Sequence, residues 1–287
     1  MKNKNYKILK PNELIDAFIS GTQANSIRLI DRLWYEMDQE VHKRGKLDIE
    51  NRFRTEYSLL ELKEFLGLSN NNHNYHNAIE EALDGLTKSI KIKNYIDTNG
   101  DVVDTLNEPL LSYKKYKNIT ENDKEKVYKI SLSSELFALM TNKNHKLGKF
   151  TNLYSRHQQK LRTGNHILLY QRLKVLQGMK WKNEIDFETF KSFIHSKKQI
   201  KYISQIEEVV KRALVAINKH TDILVSHKVI KSNNSISFKI ELNRDNMTNE
   251  EIAKTVELLK HKKETKEEKK QKEENNIIEN LLNKGVA

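Results

Sequence analysis

The stretch KKQIKYISQIEEVVKRALVAINKHTDI, residues 197–223, decides how this chain is read. It has no glycine or proline, and it carries a row of bulky apolar residues beside a row of cations. At about 100° per residue, Ile203, Ile206, Val210, Ala213, Leu214 and Ile217 fall on one face of a helix. Lys201, Ser204, Gln205, Glu208, Arg212, Val215 and Lys219 gather on the opposite face, with Lys211 at its edge. Two readings are open. One is an amphipathic surface helix whose cationic side is only solvated. The other is a helix anchored by its apolar stripe that offers its charged face to a polyanion.

The distribution of charge bears on that choice. The 287 residues carry a formal net charge of +12. Residues 1–142 hold 21 Lys and Arg against 22 Asp and Glu, and residues 232–287 hold 11 of each. Residues 143–231 hold 19 against 6, so the whole excess lies in the segment containing the opening helix. A field so concentrated fits a polyanionic partner better than general solubility, which would spread the charge. With no cysteine, disulfides and thiolate metal sites are excluded. The start, MKNKNYKILKPNELIDAF, has no apolar run of signal-peptide length, and no segment approaches about 18 consecutive apolar residues. A cytoplasmic protein without a membrane partner is expected. The basic helix also lacks the Trp or Phe that would favour insertion into a membrane surface.

Along the chain, PNELIDAFISG and ANSIRLIDRLWYEMDQEV read as two helices, the second with Ile27, Ile30, Leu33, Trp34 and Met37 at helical spacing. YSLLELKEFLGLS follows, with Gly67 as its expected stop. In NNNHNYHNAIEEALDGL, the residues Tyr75, Ile79, Ala82, Leu83 and Leu86 form another stripe. The pattern then alternates in SIKIKNYIDTNGDVVDTL, where Asn99-Gly100 is a hairpin signal. EPLLSYKKYKN and EKVYKISLS read as further strands. Helices followed by a hairpin match a winged helix-turn-helix unit. The order recurs with LRTGNHILLYQRLKVLQGM, then DFETFKSFIH capped by Asp186, then the opening helix. DILVSHKVIKSNNSISFKIEL closes this unit as a hairpin around residues 231–234. From Thr248 a capping box to Glu251 opens a dense charge run, read as a solvated, partly helical tail. The expected fold class is therefore α+β and mainly helical. It has two tandem winged helix-turn-helix domains with β-hairpin wings, residues 1–142 and 143–247, and a charged C-terminal tail, residues 248–287.

Enzymatic patterns are missing where spacing tests them. KNHKLGKF lacks the first glycine and the hydroxyl of a phosphate loop. His73 and His76 are separated by two residues with no carboxylate at ligand spacing, so they read as polar residues at a helix start rather than metal ligands. Asp101 and Asp104 flank a predicted turn. No catalytic residue, cofactor or metal is expected.

Three segments carry a resemblance: NHILLYQRLKVLQ, IDFETFKSFI and EEVVKRALVAINKHTDILVSHKVIKSNNSISFKIEL. In this order they are similar to the second winged helix of iteron-binding plasmid replication initiators. ALVAINKHTDI, residues 213–223, carries most of it, since that family places Ile-Asn and then Thr-Asp where the recognition helix gives way to the wing. Residues 6–140 resemble the family's first winged helix. The resemblance implies binding of double-stranded DNA at directly repeated origin sites. It also implies monomers that load and open the origin, dimers joined through the first domain that repress the initiator's own promoter, and recruitment of host replication proteins such as an initiator and a helicase. A winged-helix transcriptional regulator shows the same charge pattern.

On this reading the charged face of the opening helix enters the major groove, with Ser204 and Gln205 on that face. Arg212, Lys201 and Lys211 are the candidates for base edges. Lys197, Lys198, Lys219, Lys228 and Lys231 are read as phosphate contacts that set register. Glu208 either accepts from a cytosine amino group or pairs with Arg212 one turn away, and the pair is favoured. In the first domain Glu80, Glu81 and Asp84 would repel phosphates, so only the polar helix start, including Asn72 and Asn74, is expected near DNA.

Overall fold

The computed structural model describes residues 6–17, 22–44, 54–68, 74–96, 101–117, 126–133, 150–179, 183–194 and 199–253. Its first compact unit is Met1–Glu241 and its second is Leu242–Ala287. The first unit opens with β1 (Lys7–Pro11), α1 (Asn12–Ala17), α2 (Ala24–Arg44), β2 (Arg54–Ser58), α3 (Leu59–Phe65) and α4 (Tyr75–Thr87). Four strands follow: β3 (Ser89–Ile96), β4 (Val102–Pro109), β5 (Leu111–Lys117) and β6 (Lys126–Leu132). Then come β7 (Phe150–Tyr154), α5 (Ser155–Lys160), α6 (Gly164–Gly178), β8 (Glu184–Asp186), α7 (Phe187–Phe193), α8 (Ile203–His220), β9 (Ile223–Ile230) and β10 (Ser235–Leu242). The protein is α+β, with small antiparallel pairings between its helices.

Helices α2, α3 and α4 pack together because each presents one apolar stripe. Ile27, Ile30, Leu33, Trp34 and Met37 of α2 are buried, as are Ile79, Ala82, Leu83 and Leu86 of α4. Ser58 caps α3 by accepting from Glu61 N–H at 3.2 Å, while the Glu61 carboxylate accepts from Ser58 N–H at 2.7 Å. The helix stops at Gly67, whose φ of 65° is a left-handed turn that glycine takes without a Cβ penalty. On this bundle lies a sheet ordered β2-β6-β5, with Tyr57 opposite Tyr128 and Tyr113 opposite Ile130. The hairpin β3–β4 forms a separate two-stranded sheet, while its turn at Asn99-Gly100 lies outside the described residues.

Several apolar residues of this region turn inward. Leu110 and Leu111 are buried, and Val103 and Leu106 pack against the core. The cause is local: Leu110 N–H donates to the Leu86 carbonyl at 3.2 Å, and the Leu110 carbonyl accepts from Ser133 N–H at 2.9 Å. Both backbone groups of Leu110 are thereby satisfied inside the fold.

The elements after residue 150 repeat the sheet order. The strands β8, β10 and β9 form a sheet in which β10 lies between the other two. As β2 precedes α3 and α4, so β8 precedes α7 and α8. Asp186 caps α7, accepting from Thr189 N–H at 2.8 Å, as its sequence position predicts. Ile206, Val210, Ala213, Leu214 and Ile217 of α8 are all buried, so the predicted stripe is the face that packs. The turn between β9 and β10 is a 3-10 turn, Lys231–Asn233, ended by Asn234 at φ 47°.

The packing runs across residue 142. Strand β1 pairs antiparallel with β7, Lys7 opposite Tyr154 and Pro11 opposite Phe150. Helix α6 packs on α1 and α2, and Arg172 of α6 pairs with Asp16 while stacking on Phe193 at 4.2 Å. Gly164 at the start of α6 lies so close to residue 22 that a Cβ would sit 2.1 Å from the Thr22 carbonyl oxygen, so only glycine fits. At the centre Lys10 is fully buried and donates to Asp31 at 2.7 Å and to Gln171 at 3.2 Å. Gln171 in turn donates to Asp31 at 2.9 Å and to Gln158 at 2.8 Å. Burial pushes Lys10 down and Asp31 up, and their mutual attraction opposes both shifts.

The second unit is described over residues 242–253. It contains a 3-10 turn, Arg244–Asn246, and the predicted capping box. Thr248 N–H donates to the Glu251 carboxylate at 2.8 Å, and Glu251 N–H donates to Thr248 Oγ1 at 3.3 Å.

Candidate nucleic-acid interface

Burying one stripe of α8 necessarily turns its other face outward. Ser204, Gln205, Glu208, Lys211, Arg212 and Lys219 are all exposed, and Lys228 of β9 and Lys231 of the hairpin turn are exposed as well. Lys197, Lys198 and Asn72 lie outside the described residues. Lys201 is exposed but precedes the helix, which begins at Ile203. The reason is an N-terminal cap: Gln205 Oε1 accepts from Lys201 N–H at 2.7 Å and from Tyr202 N–H at 3.1 Å. Gln205 therefore combines a capping role with its exposed position.

Glu208 and Arg212 do not form the favoured ion pair. The Arg212 Nε donates to the Glu208 backbone carbonyl at 3.4 Å instead. The acid that pairs on this helix is the preceding one, Glu207, which lies 2.8 Å from Lys211 and 3.6 Å from His227 of β9. The hydrogen bond from Lys211, more than any other cause, holds the Glu207 carboxyl below its ordinary range. Glu207 lies on the flank nearer the hairpin and Glu208 on the outer face, which is why the two adjacent acids differ.

The exposed face stands on a rigid joint between α8 and β9. Asn218 donates to the Val225 carbonyl at 2.9 Å and accepts from Val225 N–H at 2.8 Å. Thr221 Oγ1 bonds the Ile217 carbonyl at 2.9 Å, closing the last turn. Asp222 accepts from Tyr170 OH and from Lys174 Nζ, both at 2.8 Å, tying the joint to α6. Burial alone would raise the Asp222 carboxyl. Lys174, His157 and the hydrogen bonds from Lys174 and Tyr170 outweigh it and hold the group below the ordinary carboxylate range. Asn218, Thr221 and Asp222 are thus fixed on protein partners, and their Ile-Asn and Thr-Asp spacing in the sequence is the signal of this joint.

Beside α8, the ring of His166 is held below its ordinary range, first by burial and then by the positive charge of Arg212. A largely neutral His166 keeps one more positive charge away from Arg212.

The corresponding helix of the earlier segment, α4, presents a different surface. Asn74 is exposed at its N-cap. Glu80 pairs with Lys115 and accepts from Tyr128 OH at 3.2 Å, and Asp84 accepts from Tyr113 OH at 2.6 Å. The Tyr113 phenol is pushed up to about 12, chiefly by that bond to Asp84. Two of the three acids expected to repel phosphate are thereby engaged by β5 and β6, while Glu81 is exposed. His76 stacks on Tyr75 with ring centroids 4.4 Å apart, and His73 lies outside the described residues.

Among the described residues no helix is long and apolar enough to cross a membrane. Residues 7–174, from β1 through most of α6, match the family described as initiator replication protein, WH1. No curated protein matches the chain. The matched segment spans more than half of the sequence and holds β1 pairing β7, the α2–α3–α4 bundle and the β2-β6-β5 sheet, so the chain belongs to the initiator replication proteins, the family of plasmid replication initiators.

Proposed function

We propose that this initiator acts without catalysis, by binding directly repeated duplex sites at a plasmid origin through two tandem winged helices. Residues 1–142 form the first, which makes weaker DNA contact and joins dimers, and residues 143–247 form the second, the main reader. Residues 248–287 form a charged tail. Monomers on the repeats help to open the origin and recruit host replication proteins, and dimers repress the initiator's own promoter.

The observation that carries this reading is the outer face of α8. A helix of 18 residues is about 27 Å long and about 10–12 Å wide, which a major groove about 12 Å wide admits. Its buried stripe and the Asn218–Val225 joint hold it against the fold, while Arg212, Lys211 and Lys219 point away from the core. Lys228 and Lys231 extend the same charge along the adjoining hairpin, where a wing meets phosphate. The recurrence of one sheet order, β2-β6-β5 and then β8-β10-β9, supports the tandem arrangement.

Footprinting of the full-length protein on DNA flanking its gene tests this. Several protected direct repeats, about 20 base pairs each as two groove-reading heads would span, are the expected result. A single protected operator would favour a transcriptional regulator, and the absence of any protected sequence would overturn DNA reading altogether.

A further inference from the structure

We infer that Val215 is a specificity-determining residue that reads the C5-methyl group of a thymine in the bound site. This rests on α8 being the groove-reading helix. Val215 is 71% exposed, the most exposed large apolar side chain among the described residues. Single exposed apolar residues are common on protein surfaces. What distinguishes this one is its place. It lies almost diametrically opposite the buried stripe of Ile206, Val210, Ala213, Leu214 and Ile217, on the outermost line of the helix. Its neighbours at three and four positions along that line are Arg212, Lys211 and Lys219, all exposed. Valine is also a poorer helix former than the lysine, glutamate or alanine that an exposed position accommodates, so local helical preference does not account for it.

The chemistry of the major groove gives such a residue a target. Guanine offers two acceptors to arginine, cytosine offers an amino donor to a carboxylate, and thymine alone offers a methyl group to an apolar side chain. Glu208, Arg212 and Val215 place one group of each kind along a single exposed face. Arg212 and Val215 are separated by about 4.5 Å along the helix axis, close to the base-pair step of about 3.4 Å. The thymine therefore lies within one or two steps of the guanine that Arg212 contacts.

The test uses the full-length protein and a duplex selected by it from a random-sequence pool. Each thymine in the protected region is replaced singly by deoxyuridine, which removes only the methyl group. One such replacement should weaken wild-type binding about fourfold, the effect of burying one methyl. Val215→Ala should show no penalty for deoxyuridine at that position and should lose the preference for thymine over cytosine there. Wild-type indifference to every deoxyuridine, or an undiminished penalty in Val215→Ala, would overturn the inference. Arg212→Ala and Glu208→Ala on the same duplex separate the two levels. If they change sequence preference while deoxyuridine has no effect, the assignment of Val215 alone falls. If neither changes it, the groove reading of α8 falls as well.

Discussion

Asn218 occupies both backbone hydrogen-bonding groups of Val225, donating to its carbonyl at 2.9 Å and accepting from its N–H at 2.8 Å. One side chain thus does for Val225 what a neighbouring strand would do. It fixes the angle at which β9 leaves α8. Replacing Asn218 by Ala strands two polar groups at a buried residue, and an unsatisfied buried group costs about 1–3 kcal/mol. Urea denaturation of Asn218→Ala should show a loss of that size. A loss below about 0.5 kcal/mol would mean that Val225 finds other partners.

Asp222 sets a pH dependence. Its folded pKa lies below the unfolded value of about 3.9, so its contribution to stability is fully present above that value. The contribution is lost as pH falls through the lower folded value, because protonation then occurs in both states. Asp222→Asn leaves the charge of Lys174, whose side chain is 11% exposed, without its partner, at a cost of about 3–5 kcal/mol near neutral pH. Thermal unfolding from about pH 6 down to about pH 2 should show wild type and variant converging in acid. A constant gap between them would refute the assignment.

Lys10 is a second buried charge whose partner matters more than its presence. Lys10→Met alone leaves the buried Asp31 carboxylate without its cation, with only the hydrogen bonds of neighbouring amides, and should destabilise by about 3–5 kcal/mol. The double variant Lys10→Met, Asp31→Leu should recover part of that loss, since an apolar pair often replaces a buried ion pair at little cost, while the buried Gln171, which loses Lys10 and Asp31 together, keeps the recovery incomplete. Denaturant midpoints of the two single variants and the double variant measure the coupling.

Reading and holding should separate along α8 and its hairpin. Arg212→Ala should relax preference at one or two bases by about 1–3 kcal/mol, as expected for a lost guanine contact. Lys228→Ala should weaken all sequences alike and lower the salt slope by about one. Ile206→Ala, at a fully buried position, should instead destabilise the fold by about 2–5 kcal/mol. Binding isotherms on matched and mismatched duplexes, with a denaturation curve for each variant, distinguish the three.

Binding itself should depend steeply on salt. With roughly six to ten phosphates contacted, affinity should fall about 10³–10⁵-fold between about 50 and 200 mM salt. A shallow dependence, measured by fluorescence anisotropy, would argue that the charge excess of residues 143–231 does not face DNA.

The helices were legible because their information is local. The 3.6-residue period of Ile206, Val210, Ala213, Leu214 and Ile217 requires one buried face wherever the helix packs. Asp186 and the Thr248–Glu251 box are caps that act within three residues. The short strands β1, β2, β7 and β8 escaped the reading. Three to five residues hold too little alternation to be seen, and their pairing partners lie far along the chain, as Lys7 lies from Tyr154.

The same distinction runs through the candidate interface. The sequence alone determined which residues of α8 would be exposed and where the basic charge would concentrate, since periodicity and composition do not depend on the rest of the fold. Tertiary structure decided their partners. It gave Glu207 rather than Glu208 the neighbouring lysine, and set Asn218 and Asp222 to hold the joint beneath the helix. It brought Lys10 to Gln171, 161 residues away, where desolvation makes a charge costly unless it is paired and hydrogen-bonded. Burial of a face is written in local spacing, whereas the partner of a polar group depends on which distant segments pack against it.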